Sequence, residues 1–148
     1  GEVRLRSAKA KRSVKAADFF AGMMVTDKAD DELVEAVAFP LADPNHGYAF
    51  REVARRHGDF AIVGCAAIVE PGAMHLAVAG VADTPQRRTW PRLDGAALDD
   101  ALNAFAWELD ARDDLHASAR LRRDLVRKIG RDVLSAAAAR QGRQGGSR

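Results

Sequence analysis

The sequence predicts an α+β fold in which an antiparallel sheet of about three main strands packs against C-terminal helices. Segments typical of strands fill residues 33–81, where apolar residues alternate or run continuously between short turns. After Pro85 the spacing of apolar residues changes to the helical period of about 3.6. Strands followed by helices, rather than strands alternating with helices, indicate helices on one face of an antiparallel sheet.

Composition limits the class of protein. The chain has 148 residues and a single cysteine, Cys65, and it contains no apolar run long enough to span a membrane. The basic N-terminal residues are not followed by the apolar stretch of a secretory signal. We therefore expect a cytoplasmic protein without disulfides or a membrane span. The first residue is not methionine, which suggests a processed or excised piece.

The first 40 residues predict a small β-rich unit. Val3 and Leu5 alternate with charged residues, and a basic stretch, Lys11–Lys15, follows after a short break, which predicts a polar hairpin. The ADFFAGMM segment from Ala17 predicts a short helical turn with Phe19 and Phe20 packed inward. Glu32–Phe39 alternates and ends before a proline, which predicts a strand.

Three further segments predict an antiparallel meander. Tyr48–Val53 alternates large residues, Phe60–Val69 is almost wholly apolar, and Met74–Val81 is apolar again after a Pro-Gly turn. A charged bend, residues 55–59, separates the first two segments. The apolar middle segment is expected at the centre of a covered sheet.

Two helices are predicted after the meander. Leu98, Leu102, Phe105, Ala106 and Leu109 share one face of the first helix, which Asp94 precedes as a candidate cap. The second helix begins near Ser118, and its buried stripe is expected to consist of Leu121, Leu125, Ile129 and Val133. Its arginines, among them Arg122, Arg123 and Arg127, are expected on the remaining faces, and residues 141–148 are expected to be disordered.

The second helix carries most of the positive charge of the chain. Residues 117–148 contain nine basic and two acidic residues, a charge of +7, whereas the first 116 carry −5. The basic helix could be a solvated amphipathic helix, a helix that docks a partner, or a nucleic-acid or membrane surface. The last interpretation is disfavoured because Asp124 and Asp132 interrupt the charge and no aromatic residues are interleaved.

Residues with catalytic or metal-binding chemistry are sparse. The histidines, His46, His57, His75 and His116, lack the mutual spacing of a local metal site, so we expect isolated histidines. Cys65 lies in an apolar strand, where a thiol is buried and inert. The acidic pairs at 99–100 and 113–114 are interpreted as helix-terminal residues rather than as general acids and bases. No glycine-rich phosphate motif is present, so we assign no catalytic residue and no metal ligand.

Several stretches together resemble one protein family. Gly47–Val63 (GYAFREVARRHGDFAIV) strongly resembles the C-terminal domain of the FAD-binding medium subunit of molybdenum hydroxylases, the xanthine dehydrogenase and aerobic carbon monoxide dehydrogenase group. Ala79–Arg87 (AGVADTPQR) and Asp114–Leu125 (DLHASARLRRDL) resemble the next landmarks of that family. Residues 17–20 and 31–40 resemble the end of its flavin-binding region.

The resemblance implies a place in an oxidoreductase. In such enzymes FAD receives electrons from a molybdopterin centre through 2Fe-2S clusters and passes them to an acceptor. The implied partners are a molybdopterin-binding large subunit and a 2Fe-2S small subunit. The glycine-rich loops that cradle the flavin lie in an N-terminal region with no counterpart in these residues, so the chain alone is expected to be inactive.

The resemblance also implies domains and site residues. Residues 1–40 would be the remnant of the FAD-binding domain, and residues 41–140 the C-terminal α+β domain. A backbone contact to the cofactor falls on Leu33 or Val34, and a basic cofactor-binding residue falls on Arg51, where family members often have lysine. The alternative function is a non-enzymatic interaction module of the same fold that docks a partner through its basic C-terminal helix. No binding to nucleic acid is expected.

Overall fold

A computed structural model of the chain describes residues 1–141, so the predicted tail lies largely outside the described residues. The chain divides into two compact units, the first ending at Ala42 and the second beginning at Asp43. No helix within the described residues is long and apolar enough to cross a membrane.

The first unit is built on a three-stranded antiparallel sheet. Strands β1 (Glu2–Arg6) and β2 (Lys11–Lys15) form the expected hairpin, followed by the short helix α1 (Ala16–Phe19) and a small ribbon of β3 (Phe20–Gly22) and β4 (Val25–Thr26). Strand β5 (Leu33–Ala38) pairs with β1, which gives the strand order β2-β1-β5. The buried residues of this unit are Val3, Leu5 and Phe19, whereas Phe20 is exposed, contrary to expectation.

The second unit begins with a four-stranded antiparallel meander. Its strands, in the order of both chain and sheet, are β6 (Gly47–Ala54), β7 (Ala61–Val69), β8 (Ala73–Ala79) and β9 (Gln86–Pro91). The α+β class and the first three strands were predicted, but β9 was not. Its sequence, QRRTWP, is polar and ends in proline because it is an edge strand that pairs only with β8.

Two long helices follow the sheet, as predicted. Helix α2 (Gly95–Glu108) has Asp94 at its N-cap position without a side-chain capping bond, whereas Ser118 Oγ caps α3 (Ala119–Arg140) by accepting from the backbone N–H of Leu121. The core joins both helices to the sheet and consists mainly of aliphatic residues, among them Val63, Leu76, Leu102, Val126, Ile129 and Leu134.

The buried face of α3 differs from the predicted stripe. Leu121 is exposed, and the buried residues are Arg122, Val126, Ile129, Gly130, Val133, Leu134 and Ala137. An i, i+4 stripe winds around a helix by about 40° at each step, so within a few turns it leaves the side of the helix that faces the sheet. The observed face combines steps of three and four residues, and it therefore stays on the sheet over the length of α3. The prediction that Arg122 faces outward was wrong.

Close backbone packing holds the end of α3 against the start of β6. A Cβ atom on Gly47 would lie 1.8 Å from the carbonyl oxygen of Ala137. Farther back in α3, a Cβ atom on Gly130 would lie 3.0 Å from a methyl carbon of Leu76 and 3.1 Å from one of Leu102. Gly130 therefore allows α3 to approach both β8 and α2, which offsets its unfavourable helix propensity.

Candidate functional site

The two backbone-contact candidates lie side by side on an open strand edge. Leu33 and Val34 begin β5, opposite Arg6 and Leu5 of β1. Within the described part of the chain, β5 pairs with β1 on one side only. The side chains are unusually exposed for an apolar strand, with 76% of Leu33 and 48% of Val34 accessible. Strand β5 thus offers both unpaired backbone groups and apolar surface.

Arg12 fixes the loop that leads into this strand. Its guanidinium contacts both oxygens of Glu32, with Nε at 2.7 Å and Nη2 at 2.8 Å, and it also reaches the Asp27 carboxylate. The hydrogen bonds from Arg12 and from the backbone N–H of Ala29 lower the pKa of Glu32 to about 2. Glu32 immediately precedes Leu33, so this bidentate contact holds the start of β5 in place.

A groove of about 390 Å³ runs beside Leu33 and Val34. Its remaining lining comes from the end of β1, the following turn and the start of β5: Arg6, Ser7, Ala8, Asp31 and Glu35. Glu35 accepts hydrogen bonds of 3.0 Å from both Arg6 and Lys11, which lower its pKa. The groove combines an apolar wall with Arg6 and Glu35, which are paired with each other, and with the Asp31 carboxylate. The apolar wall can take an apolar or planar group while the Arg6–Glu35 ion pair stays intact.

Arg51 lies in the second unit, in the middle of β6 and opposite Cys65 of β7. Its Nη1 donates a hydrogen bond of 2.9 Å to Asp132 Oδ2 on α3. The pair is accessible, with 60% of the Arg51 side chain and 44% of the Asp132 side chain exposed. An exposed ion pair of this kind contributes at most about 1 kcal/mol, so another anion can compete for the guanidinium.

The charged bend between β6 and β7 is partly held by local contacts. Arg56 lies 3.8 Å from Asp59, and Asp59 also accepts a hydrogen bond from the backbone N–H of Phe60. Gly58 takes a positive φ of 80°, which only glycine adopts without strain. Arg55 does not join this pair and instead contacts the ring of His116 at 3.2 Å. Of the three charges of the bend, Arg56 and Asp59 are therefore the two that pair with each other.

A buried arginine that the sequence analysis missed ties α3 to the sheet. Only 5% of the Arg122 side chain is exposed. Its Nη1 donates to the carbonyl oxygens of Ile62 at 2.7 Å and Gly80 at 2.6 Å, and its Nη2 donates to Asp114 at 2.5 Å. The spacing of Arg122 could have indicated its burial, because it lies four residues before Val126 and seven before Ile129, on the same face of the helix.

Two histidines expected to be isolated share one carboxylate. His75 Nε2 lies 2.6 Å from Glu70 Oε1, and His46 Nε2 lies 3.3 Å from Glu70 Oε2. The contact with His75 is the main cause of a lowered pKa at Glu70. Within residues 1–141, no three His, Cys, Asp or Glu side chains are grouped so that they could hold a metal ion. The cluster therefore joins the start of β6 and the end of β7 to His75 of β8, at one end of the sheet.

Cys65 and the acidic pair at 113–114 have structural surroundings. Cys65 is fully buried, and burial raises the pKa of its thiol to about 12, as expected for an inert cysteine. Asp113 accepts from the backbone N–H of Ala119, and Asp114 accepts from those of His116 and Ala117. The two carboxylates thus organise the start of α3, in agreement with the interpretation from the sequence.

Comparison with known proteins identifies the class to which this sheet and its two helices belong. The family model of the CO dehydrogenase flavoprotein C-terminal domain matches residues 48–137, which extend from β6 through most of α3. The chain therefore belongs to the CO dehydrogenase flavoprotein C-terminal domain family. This confirms the family resemblance of the sequence.

Relatives with known activities extend the similarity into the first unit. The nicotine 6-hydroxylase medium subunit of Paenarthrobacter nicotinovorans is 31% identical over 152 residues, covering 95% of this chain and 53% of the relative. The glyceraldehyde dehydrogenase medium chain of Sulfolobus acidocaldarius is 31% identical over 139 residues, covering 84% and 48%. The chain spans about half the length of these relatives.

A solved structure shows the same fold. A chain of reconstituted CO dehydrogenase from Oligotropha carboxidovorans superposes with a TM-score of 0.83 at 24% identity, covering 94% of this chain and 53% of that one. At this identity the match establishes the architecture alone.

Proposed function

We propose that the chain is the C-terminal part of the FAD-binding medium subunit of a molybdenum hydroxylase. In this function FAD accepts electrons that originate at a molybdopterin centre, arrive through 2Fe-2S clusters, and leave to an acceptor. Membership of the flavoprotein C-terminal domain family supports the proposal, as do the two relatives, which are medium chains of a hydroxylase and a dehydrogenase. The chain contributes part of the cofactor site and no catalytic residue of its own.

The structural observation that carries the proposal is the exposed β5 edge. A strand that is apolar and unpaired along one side is a liability unless something covers it. Leu33 and Val34 offer backbone donors and acceptors at that edge, and the adjoining groove has room for part of a planar ring system. These features fit a cofactor that needs both hydrogen bonds and apolar contact.

In this proposal the residues of the chain bind and orient the cofactor. The backbone of Leu33 or Val34 would hydrogen-bond to it, and the strand is positioned for this by the Arg12–Glu32 contact. Arg51 would supply positive charge to the bound cofactor. Its present partner, Asp132, forms an exposed ion pair, so the guanidinium can be shared at little energetic cost.

The proposed partners are a molybdopterin-binding large subunit and a 2Fe-2S small subunit, with the pyrophosphate of FAD held by an N-terminal region outside these residues. Pyrophosphate recognition normally supplies much of the affinity for a dinucleotide, and these residues have no glycine-rich phosphate loop. A cytoplasmic location fits the single cysteine, which is buried and unpaired.

Flavin content tests the proposal. The chain alone should bind FAD weakly or not at all in titration calorimetry. Expressed together with its flavin-cradling N-terminal region, it should be yellow, with the flavin absorption at about 450 nm. Micromolar or tighter affinity of the chain alone would show that the main cradle lies within it. A colourless protein in the presence of the N-terminal region would overturn the proposed function.

A further inference from the structure

A row of arginines lies along the seam between α2 and α3. Arg123, Arg127 and Arg131 follow one another at four-residue spacing, and each donates a hydrogen bond to α2 or to the residues next to it. The acceptors are the Leu109 carbonyl, the Asn103 side chain, and the Gly95 carbonyl together with Asp99. These arginines of the seam therefore stabilise the helix pair.

Near the end of α2 and the first turns of α3, this seam opens into a groove of about 360 Å³. It is lined by Trp107 from α2 and by Arg120, Arg123, Asp124 and Arg127 from α3. Trp107 is 63% exposed. Exposed tryptophan together with arginine is the composition found at the centres of protein interfaces, where these two residues carry much of the binding energy.

The positive charge in the groove is only partly neutralised. Its single carboxylate, Asp124, is paired with Arg127. Within residues 1–141, neither Arg120 nor Arg123 has a carboxylate within 4.0 Å, whereas Arg122, Arg127 and Arg131 of the same helix each do. Two uncompensated guanidinium groups therefore flank the exposed indole ring.

Arg123 is held in position without any anion. Its guanidinium carbon lies 5.0 Å from the centre of the Trp107 ring, and its Nη2 donates to the Leu109 carbonyl at 3.3 Å. Its Nε is buried and has no hydrogen-bond partner among the described residues. A guanidinium fixed against an aromatic face loses little conformational freedom when a carboxylate binds to it.

We propose that this Trp107 groove docks an acidic segment of a partner protein, with carboxylates on Arg120 and Arg123 and an apolar side chain on the indole ring. Nucleic acid fits less well because the groove offers a single aromatic residue for base stacking. The C-terminal residues 142–148 of the chain cannot fill it as an acidic segment, because they contain no Asp or Glu. The groove lies on the helices rather than on β5, so the proposal goes beyond cofactor binding and does not depend on it.

The test uses the full chain and a fluorescein-labelled peptide of alternating glutamate and glycine with one leucine at its centre, which supplies both the carboxylates and the apolar side chain. We expect saturable binding in fluorescence anisotropy that weakens with added salt. Arg120→Glu should weaken binding about tenfold, and Trp107→Ala should weaken it by a similar factor. Arg120 is exposed in the first turn of α3, where an acidic residue is favourable, so its variant should fold normally.

Lys128→Glu is the matched control, because Lys128 is exposed on the same helix, undergoes the same change of charge, and does not line the groove. It should change the affinity by no more than about twofold. Equal weakening by Lys128→Glu and Arg120→Glu would overturn the proposal, as would absence of peptide binding. If a single-stranded oligonucleotide bound more tightly than the peptide, and Arg120→Glu weakened that binding, the groove would be a phosphate site. If the chain self-associated in sedimentation and Arg120→Glu abolished this, the groove would bind a second copy of the chain. Either result would overturn the proposal.

Discussion

Arg122 and Gly80 are joined by a hydrogen bond of 2.6 Å, although they lie 42 residues apart. Gly80 has a positive φ of 83°, and a Cβ atom there would lie 2.7 Å from the carbonyl oxygen of Ala61, so only glycine fits. The same guanidinium also reaches Ile62 and Asp114. The three sequence stretches that carry the family resemblance in this domain therefore meet at one side chain.

Replacing Arg122 tests this contact. Arg122→Met keeps an unbranched apolar stem but removes the guanidinium, so the carbonyl groups of Ile62 and Gly80 lose their donor. We expect a loss of about 2–4 kcal/mol in the free energy of unfolding, measured by urea denaturation. Lys128→Met, at an exposed position of the same helix, should change stability by less than about 0.5 kcal/mol. An Arg122→Met protein as stable as the original would show that the contact is dispensable.

The acid stability of the domain should depend on Asp114. Hydrogen bonds from the backbone N–H groups of His116 and Ala117, together with Arg122, lower its pKa from 3.8 to about 2. Because the folded-state pKa is depressed, the stabilisation is fully present above pH 3.8 and is lost as the pH falls toward about 2. Asp114→Asn should therefore be less stable than the original at about pH 6, and the difference should shrink toward about pH 2.

Thermal melts of both proteins across this range would measure the difference. Asp110→Asn is the control, because Asp110 is an exposed aspartate near the end of α2. A constant gap between Asp114→Asn and the original at every pH would contradict the assignment of the proton-linked stability to Asp114.

The contact between β6 and α3 should tolerate no side chain at Gly47. In Gly47→Ala the new Cβ would lie 1.8 Å from a backbone oxygen, so strand and helix must separate. We expect a loss of about 3 kcal/mol, measured by chemical denaturation. Gly72→Ala is the matched control, because nothing lies within 4 Å of its Cβ position and its φ is not positive. Similar effects of the two substitutions would mean that the approach of α3 to β6 is not critical.

The proposed role of Arg51 can be separated from its ion pair. If Arg51 contacts FAD, Arg51→Ala in the flavin-containing subunit should reduce flavin content, with partial retention in Arg51→Lys. Asp132→Ala removes the same ion pair and should leave flavin content unchanged, because the exposed pair contributes little to stability. Flavin absorbance relative to protein measures both. Equal losses in Arg51→Ala and Asp132→Ala would indicate a structural role for the pair.

The charged bend between β6 and β7 can be tested in the same flavin-containing subunit. If the bend lies beside the cofactor, Asp59→Ala should change the flavin reduction potential or the rate of electron transfer to the acceptor, with less effect on reduction by substrate. Arg56→Ala is a useful comparison, since it removes the partner of Asp59 with the opposite change of charge. Unchanged potential and unchanged acceptor rate in both variants would make the bend ordinary surface.

Local sequence patterns were enough to predict the α+β class, the hairpin, three strands of the meander and both long helices. Apolar periodicity and turn residues are local properties, so a segment such as Phe60–Val69, or the start of a helix near Ser118, can be identified from its neighbours alone. The resemblance of several stretches to one family is likewise visible in the sequence.

Which face of each element is buried, and which distant groups meet, follows from the tertiary fold. Among the described residues β9 has β8 as its one neighbour, which fits its polar sequence, and the buried face of α3 combines steps of three and four residues instead of an i, i+4 stripe. Arg122 is buried because carbonyl groups 42 and 60 residues away accept hydrogen bonds from its Nη1 and the carboxylate of Asp114 accepts one from its Nη2. The energy of a buried charge depends on partners that the fold alone brings within hydrogen-bonding distance, and local patterns carry no record of them.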